Sequence, residues 1–190
     1  YSFGGWSGSG VTNTQSMETT VDMSMDRTIS ATFSINSYSL SVLAGNGGSV
    51  SGAGTFNHGI YASISATPDA GYSFTGWSGS GVTNAESMNT TVDMTMDRTV
   101  SAIFSINSYS LSVLAGNGGS VTGSGTFEHG STATISATPE TGYSFGGWSG
   151  SGVTNTQSME TTVDMSMDRN LSATFSINSY SLSVLAGNGG

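Results

Sequence analysis

The 190-residue chain is 35% hydrophobic but only 8% charged, with a net charge of −9, no cysteine and no lysine, where about 25% charged residues is usual. Disulfides, cysteine zinc sites and Lys–Asn isopeptide cross-links are thereby excluded, as is a nucleic-acid reader, which needs a basic footprint. No apolar run approaches the about 20 residues that cross a bilayer, and 28 glycines against two prolines point to short strands joined by glycine turns.

The chain repeats at a period of 71 residues, with Tyr1-Ser2-Phe3 returning at Tyr72 and at Tyr143. Residues 1–71 and 72–142 agree at 56 of 71 positions, and residues 143–190 match residues 1–48 at 46 of 48. Self-similarity of this kind marks modules that stack. The chain opens on an aromatic strand and stops in a turn, Gly189-Gly190, which reads as a stretch of a longer array. Boundaries at the link before Tyr38 give the C-terminal part of a module (1–36), two complete modules (37–107 and 108–178), and the first strand and turn of another (179–190).

Within one module, Tyr38, Leu40 and Val42 alternate with serines, the period of a half-buried strand. Gly45-Asn46-Gly47-Gly48 follows, and Asn-Gly is a strong hairpin signal because a type I′ turn needs positive φ at both central residues. A second, glycine-weakened strand is expected near Ser49–Phe56, then a turn at Asn57-His58-Gly59. Ala62, Ile64 and Ala66 mark a third strand that Pro68 ends, and Tyr72 and Phe74 share a face of a fourth. After the Gly-Ser-rich stretch from Gly76 to Gly81 comes the longest irregular segment, with room for a helical turn at Thr83–Met88. Val92, Met94 and Met96 mark the inward face of a fifth strand, and Val100, Ala102, Phe104 and Ile106 that of a sixth.

The link to the next module is only Asn107-Ser108. The core positions are even-numbered before it and odd-numbered after it. A strand cannot continue on the same face through such a flip, so one strand closes a core and the next opens another. The expected architecture is therefore all-β, a tandem array of small six-stranded antiparallel modules, β-grasp-like or small sandwiches, set as beads on a semi-rigid rod.

Several motifs carry a likeness. They are Tyr38-Ser39-Leu40-Ser41-Val42, Gly47-Gly48-Ser49-Val50, Ala66-Thr67-Pro68, Gly71-Tyr72-Ser73-Phe74-Thr75-Gly76-Trp77, Met94-Thr95-Met96-Asp97 and Val100-Ser101-Ala102-Ile103-Phe104. In these the sequence resembles the divergent internalin B-repeat family over the whole chain. The resemblance implies small β-rich modules strung along secreted or surface bacterial proteins as stalks and adhesive arms. It implies no catalytic residues.

Each candidate for chemistry competes with a packing role. Trp6, Trp77 and Trp148 are candidates for stacking on glycans, although a large aromatic beside glycine backbone more readily plugs the end of a small core. Asp22 and Asp26, Asp93 and Asp97, and Asp164 and Asp168 offer oxygen ligands for Ca²⁺. Residues four apart on a strand lie roughly 13 Å apart, too far for one ion, so a solvated face with an Asp-Arg turn is the preferred reading and no cofactor is expected. His58 and His129 stand beside turn glycines, but no run has the Gly-x-Ser-x-Gly or Gly-x-Gly-x-x-Gly spacing, so no enzymatic site is expected. Asn89-Thr90-Thr91 and Asn170-Leu171-Ser172 are glycosylation sequons.

The expected role is a structural segment of an extracellular filament or cell-surface stalk. Its partners would be neighbouring modules and other copies of the protein, with neither nucleic acid nor a membrane span. The alternative is an adhesin arm that binds a glycan or surface receptor. A functional amyloid is the third reading.

Overall fold

Sixteen strands and no helix are found among the described residues of the computed structural model, which are 1–185, 187 and 188. The N-terminal partial module contributes β1 (Ser2–Ser7) and β2 (Ser30–Ser34). The first complete module runs through β3 (Ser37–Ala44), β4 (Gly48–Ser51), β5 (Gly54–Asn57), β6 (Tyr61–Pro68), β7 (Tyr72–Ser78), β8 (Asn89–Asp93) and β9 (Arg98–Ile106). The next repeats them as β10 (Ser108–Ala115), β11 (Gly119–Thr122), β12 (Gly125–Glu128), β13 (Ser131–Pro139), β14 (Tyr143–Ser149), β15 (Glu160–Met165) and β16 (Arg169–Ile177).

Each complete module is a pair of sheets, one of four strands in the order β5-β3-β9-β7 and one of three in the order β4-β6-β8. The core lies between them. Leu40, Val100 and Ala102 face inward from the larger sheet, Ala62, Ile64, Ala66 and Val92 from the smaller, and Trp77 and Met94 join the same cluster. Leu111, Ile135, Val163, Trp148 and Met165 build the equivalent cluster in the next module. Val100, Ala102 and Phe104 thus serve one core while Tyr109, Leu111 and Val113 serve the other, as the parity flip at the link requires.

The all-β tandem reading stands, with two changes. There are seven strands per module, not six, because the segment expected as one strand near Ser49–Phe56 is β4 and β5, which pair with β6 and β3 in different sheets. Glycines at the crossing carry no side chain whose alternation would reveal it. The ladders are also not all antiparallel. The first and last strands of the module run parallel, Leu40 opposite Arg98 through Ala44 opposite Ala102, and the next module repeats this from Leu111–Arg169 to Ala115–Ala173.

Three local expectations also give way. Thr83–Met88 contains no helical turn; the Asn84 side chain accepts the Glu86 amide at 3.0 Å, holding a tight turn instead. Met96 is not inward, since β8 ends at Asp93 and the chain turns, leaving Met96 54% exposed beside the fully buried Met94. The described part of 179–190 carries no strand, and Tyr180, Leu182 and Val184 are each more than 80% exposed. Among the described residues no strand lies alongside this segment to pair with it. The turn expected at Gly189-Gly190 lies outside the described residues.

By compactness the chain divides into two units, Tyr1–Asp69 with Phe74–Ser105, and Ala70–Ser73 with the residues from Ile106 onward. No helix among the described residues is long and apolar enough to cross a membrane.

Candidate functional site

One structural device recurs around the single arginine of each period. In the second unit the Arg169 side chain is 9% exposed. Its Nε donates to the Asp164 carbonyl at 3.0 Å, Nη1 to Ser151 Oγ at 2.8 Å, and Nη2 to Asp164 Oδ2 and Ser166 Oγ at 3.2 Å each. In the first unit Arg98 reaches the Asp93 carbonyl at 3.1 Å, Ser80 Oγ at 2.8 Å and Thr95 Oγ1 at 3.2 Å. The guanidinium thus ties the irregular Gly-Ser-Gly loop to the turn that follows β8 or β15. A buried cation is tolerable here because its donors find fixed acceptors in their own plane. The Ser166 hydroxyl, which donates to Asp164 at 2.7 Å, does most to hold that carboxyl below its ordinary value, opposed by desolvation and helped by the Arg169 charge.

The six candidate calcium carboxylates divide into two sets, and neither forms a ligand cage. Asp22, Asp93 and Asp164 pair with the module's arginine, with oxygen to nitrogen distances of 3.3, 3.8 and 3.2 Å. Asp97 accepts the Ser39 amide and hydroxyl at 2.7 and 3.0 Å, and Asp168 does the same with Ser110 at 2.8 and 3.0 Å. The strand face they were assigned does not exist, because the backbone turns between the paired residues. Asp26 lies in the corresponding turn of the partial module. Among the described residues no group of three or more His, Asp or Glu side chains is arranged to hold a metal ion.

The tryptophans are part of the same scaffold. Trp77 and Trp148 are 6% and 5% exposed. Their indole N–H groups donate to the Ser87 and Ser158 carbonyls at 3.0 and 2.8 Å, and Trp6 donates to Ser16 at 2.9 Å. The two buried indoles present no open ring face on which a sugar could stack. A bulge directs Trp148 inward. In β14, Phe145 pairs with Phe175 but Gly147 with Thr174, so one residue drops out of the count. Phe145 and Trp148, three apart, would point to opposite faces of a regular strand. With the bulge they share one, at 5.6 Å between ring centroids. Gly147 supplies the required φ of 132°.

At the links, an asparagine makes bonds in three directions. Asn107 donates its backbone N–H to the Gly71 carbonyl at 2.8 Å, accepts the Ser73 hydroxyl on Oδ1 at 2.6 Å, and accepts the His129 amide on its own carbonyl at 2.8 Å. Asn36 makes the last two bonds with Ser2 and His58, and Asn178 the first two with Gly142 and Ser144. His58 and His129 each meet a tyrosine edge-on, Tyr38 at 5.8 Å and Tyr109 at 5.9 Å. Among the described residues neither imidazole is joined by hydrogen bonds to a serine nucleophile and a carboxylate. The roles of the arginine and the linking asparagine were not read from sequence. The available signal was that the arginine occurs once per period and that the asparagine stands where the core parity changes. The sequon residues Asn89 and Asn170 are exposed, on β8 and β16.

The model of a protein family described as the divergent InlB B-repeat domain matches residues 1–37, 38–108 and 109–179. No curated protein and no solved structure matches the chain.

Proposed function

Since the chain belongs to the divergent InlB B-repeat domain family, whose modules suggest a structural, repeated role in bacterial surface or secreted proteins, we propose that it is a spacer segment of an extracellular filament or cell-surface stalk, without catalytic activity. One observation carries this reading. The groups that chemistry would need are engaged within the module itself: the guanidinium of Arg169, the carboxylates of Asp164 and Asp168, which stay exposed to solvent, and the indole N–H of Trp148 all bond to partners in the same module. Equivalent bonds recur one period earlier, with the Arg98–Asp93 side-chain pair opened to 3.8 Å. A function repeated identically along a chain is one of length and stiffness. Nearest-neighbour stacking then sets the properties of the whole, with neighbouring modules and other copies of the protein as the partners.

The adhesin reading has one observation in its favour. Ile60 and Tyr61 are 47% and 64% exposed at the head of β6, where the next module has Ser131 and Thr132. The test is small-angle scattering on chains of two, three and six modules, with a glycan and surface-protein binding screen on the same material. A spacer gives a longest dimension that rises linearly with module number and no saturable binding. A dimension that levels off overturns the spacer reading, and saturable binding lost in a chain carrying I60S and Y61T replaces it with the adhesin.

A further inference from the structure

The link residues have a second property, visible when equivalent positions are compared. Gly71 and Gly142 sit at the same place in the repeat, with φ of +80° and +87°. Both accept the amide of the linking asparagine at 2.8 Å, and in both cases the following serine hydroxyl lies 2.6 Å from that asparagine's Oδ1. They differ in what covers them. The imidazole of His129 lies directly on Gly71, where a Cβ would overlap the ring, whereas a Cβ on Gly142 would meet nothing within 4 Å. The geometry at Gly142, Ser144 and Asn178 therefore exists without a histidine upon it. The histidine side of the joint is likewise already shaped without a glycine. His58 holds the same edge-on position against Tyr38 that His129 holds against Tyr109, and its amide is bonded to Asn36, yet it is exposed.

We propose that the glycine turn before β7 or β14, together with the linking asparagine, is a preformed seat for the histidine of the module that follows, and that seating the imidazole locks that turn to the following module. The occupant is the His-Gly turn of a B-repeat module, represented here by His129-Gly130 on Gly71. Glycine is the residue that fits the seat, since it combines positive φ with the absence of any atom between the backbone and the ring. Burial is the second sign of a fitted joint. His129 Nδ1 is the one buried side-chain nitrogen or oxygen without a hydrogen-bond partner among the described residues. Leaving it unpaired carries a cost, which the close packing of the ring between Gly71 and Tyr109 offsets. The seat at Gly71 and its histidine both lie within the second compact unit, and the Ser2–Asn36–His58 joint lies within the first.

The inference deepens the stacked-module reading and rests on it, but it is tested by unfolding rather than by length, so each can fail separately. The matched pairs G71A and G142A, and H129A and H58A, are made in the whole chain and followed by scanning calorimetry and by hydrogen exchange at the Asn107 and His129 amides. Both glycine changes strain a left-handed residue, so their difference isolates the seat. G71A is expected to lower the melting temperature by on the order of 5 °C more than G142A. H129A is expected to speed exchange at both amides at least tenfold, while H58A leaves them unchanged. Equal melting shifts within each pair, with unaltered exchange at Asn107 in H129A, would overturn the proposal.

Discussion

At the scale of single residues, the arginine has the largest consequence for a module. Removing the Arg169 side chain leaves the Asp164 carbonyl and two hydroxyls without their donor and frees the Gly-Ser-Gly loop. Losing hydrogen bonds from a buried charged group is costly, so R169A is expected to destabilise its module by about 2 kcal/mol, read from denaturant midpoints. The same network has a signature in acid. The Asp164 carboxyl is held below its ordinary value chiefly by the Ser166 hydroxyl and then, against desolvation, by Arg169. Its contribution is therefore present in full above the ordinary carboxylate value of about 3.9 and is lost as pH falls through the lower folded value. The R169A chain should show a shallower loss of stability below about pH 4 than the parent; parallel pH profiles would argue against the coupling. The aspartates were conspicuous in the sequence, yet their roles were not legible. A carboxylate that binds its own turn and one that awaits an ion have the same spacing, and only the backbone path after β8 separates the two.

At the scale of strands, the bulge in β14 decides where the tryptophan goes. The middle copy supplies a natural control, since Thr75 stands where the flanking copies have Gly4 and Gly146. The facing residue changes with it, Ile103 standing where this copy has Thr174, whose hydroxyl would lie 3.0 Å from a Cβ on Gly146. G146T combined with T174I should therefore be tolerated, whereas G147A places a side chain at φ of 132°, a strain of about 1–3 kcal/mol. Denaturant unfolding is expected to separate the two variants by about 2 kcal/mol, and tryptophan emission should shift to the red only in G147A. Strands with period-two apolar residues, such as β3, β6 and β9, were legible from alternation alone. The division between β4 and β5 was not, because glycines hide the change of sheet. The parallel pairing of β3 with β9 was not legible either, because alternation records which face is buried and not which strand lies alongside.

At the scale of the whole chain, the partial copy at the N-terminus shows what a module needs in order to fold. Met23 is 70% exposed, while its equivalents Met94 and Met165 are fully buried. The local sequence is nearly the same, so the difference lies in the sheet that the complete copies possess and residues 1–36 lack. A chain of about 70 residues buries only about 60% of its unfolded surface, so one complete module is expected to melt well below three in tandem. Equal melting temperatures for residues 38–108 alone and for the full chain would show that neighbours contribute nothing. This tandem organisation was legible in the 71-residue period alone. The joints were not, because Asn107, Gly71 and His129 are far apart in sequence and become a group only on folding.

The parallel ladder between the first and last strands also fixes how a module bears a pull. The chain enters at Ser108 and leaves at Ile177, on adjacent strands that point the same way and share five paired positions. Tension on the two ends therefore slides β10 past β16 and loads every hydrogen bond of the ladder in shear, where a hairpin pulled from its open end would lose them one at a time. Forced unfolding is governed by the rate of crossing that barrier. Each module would consequently act as a mechanical fuse, holding its length until the ladder fails as a whole and then releasing its slack in a single step.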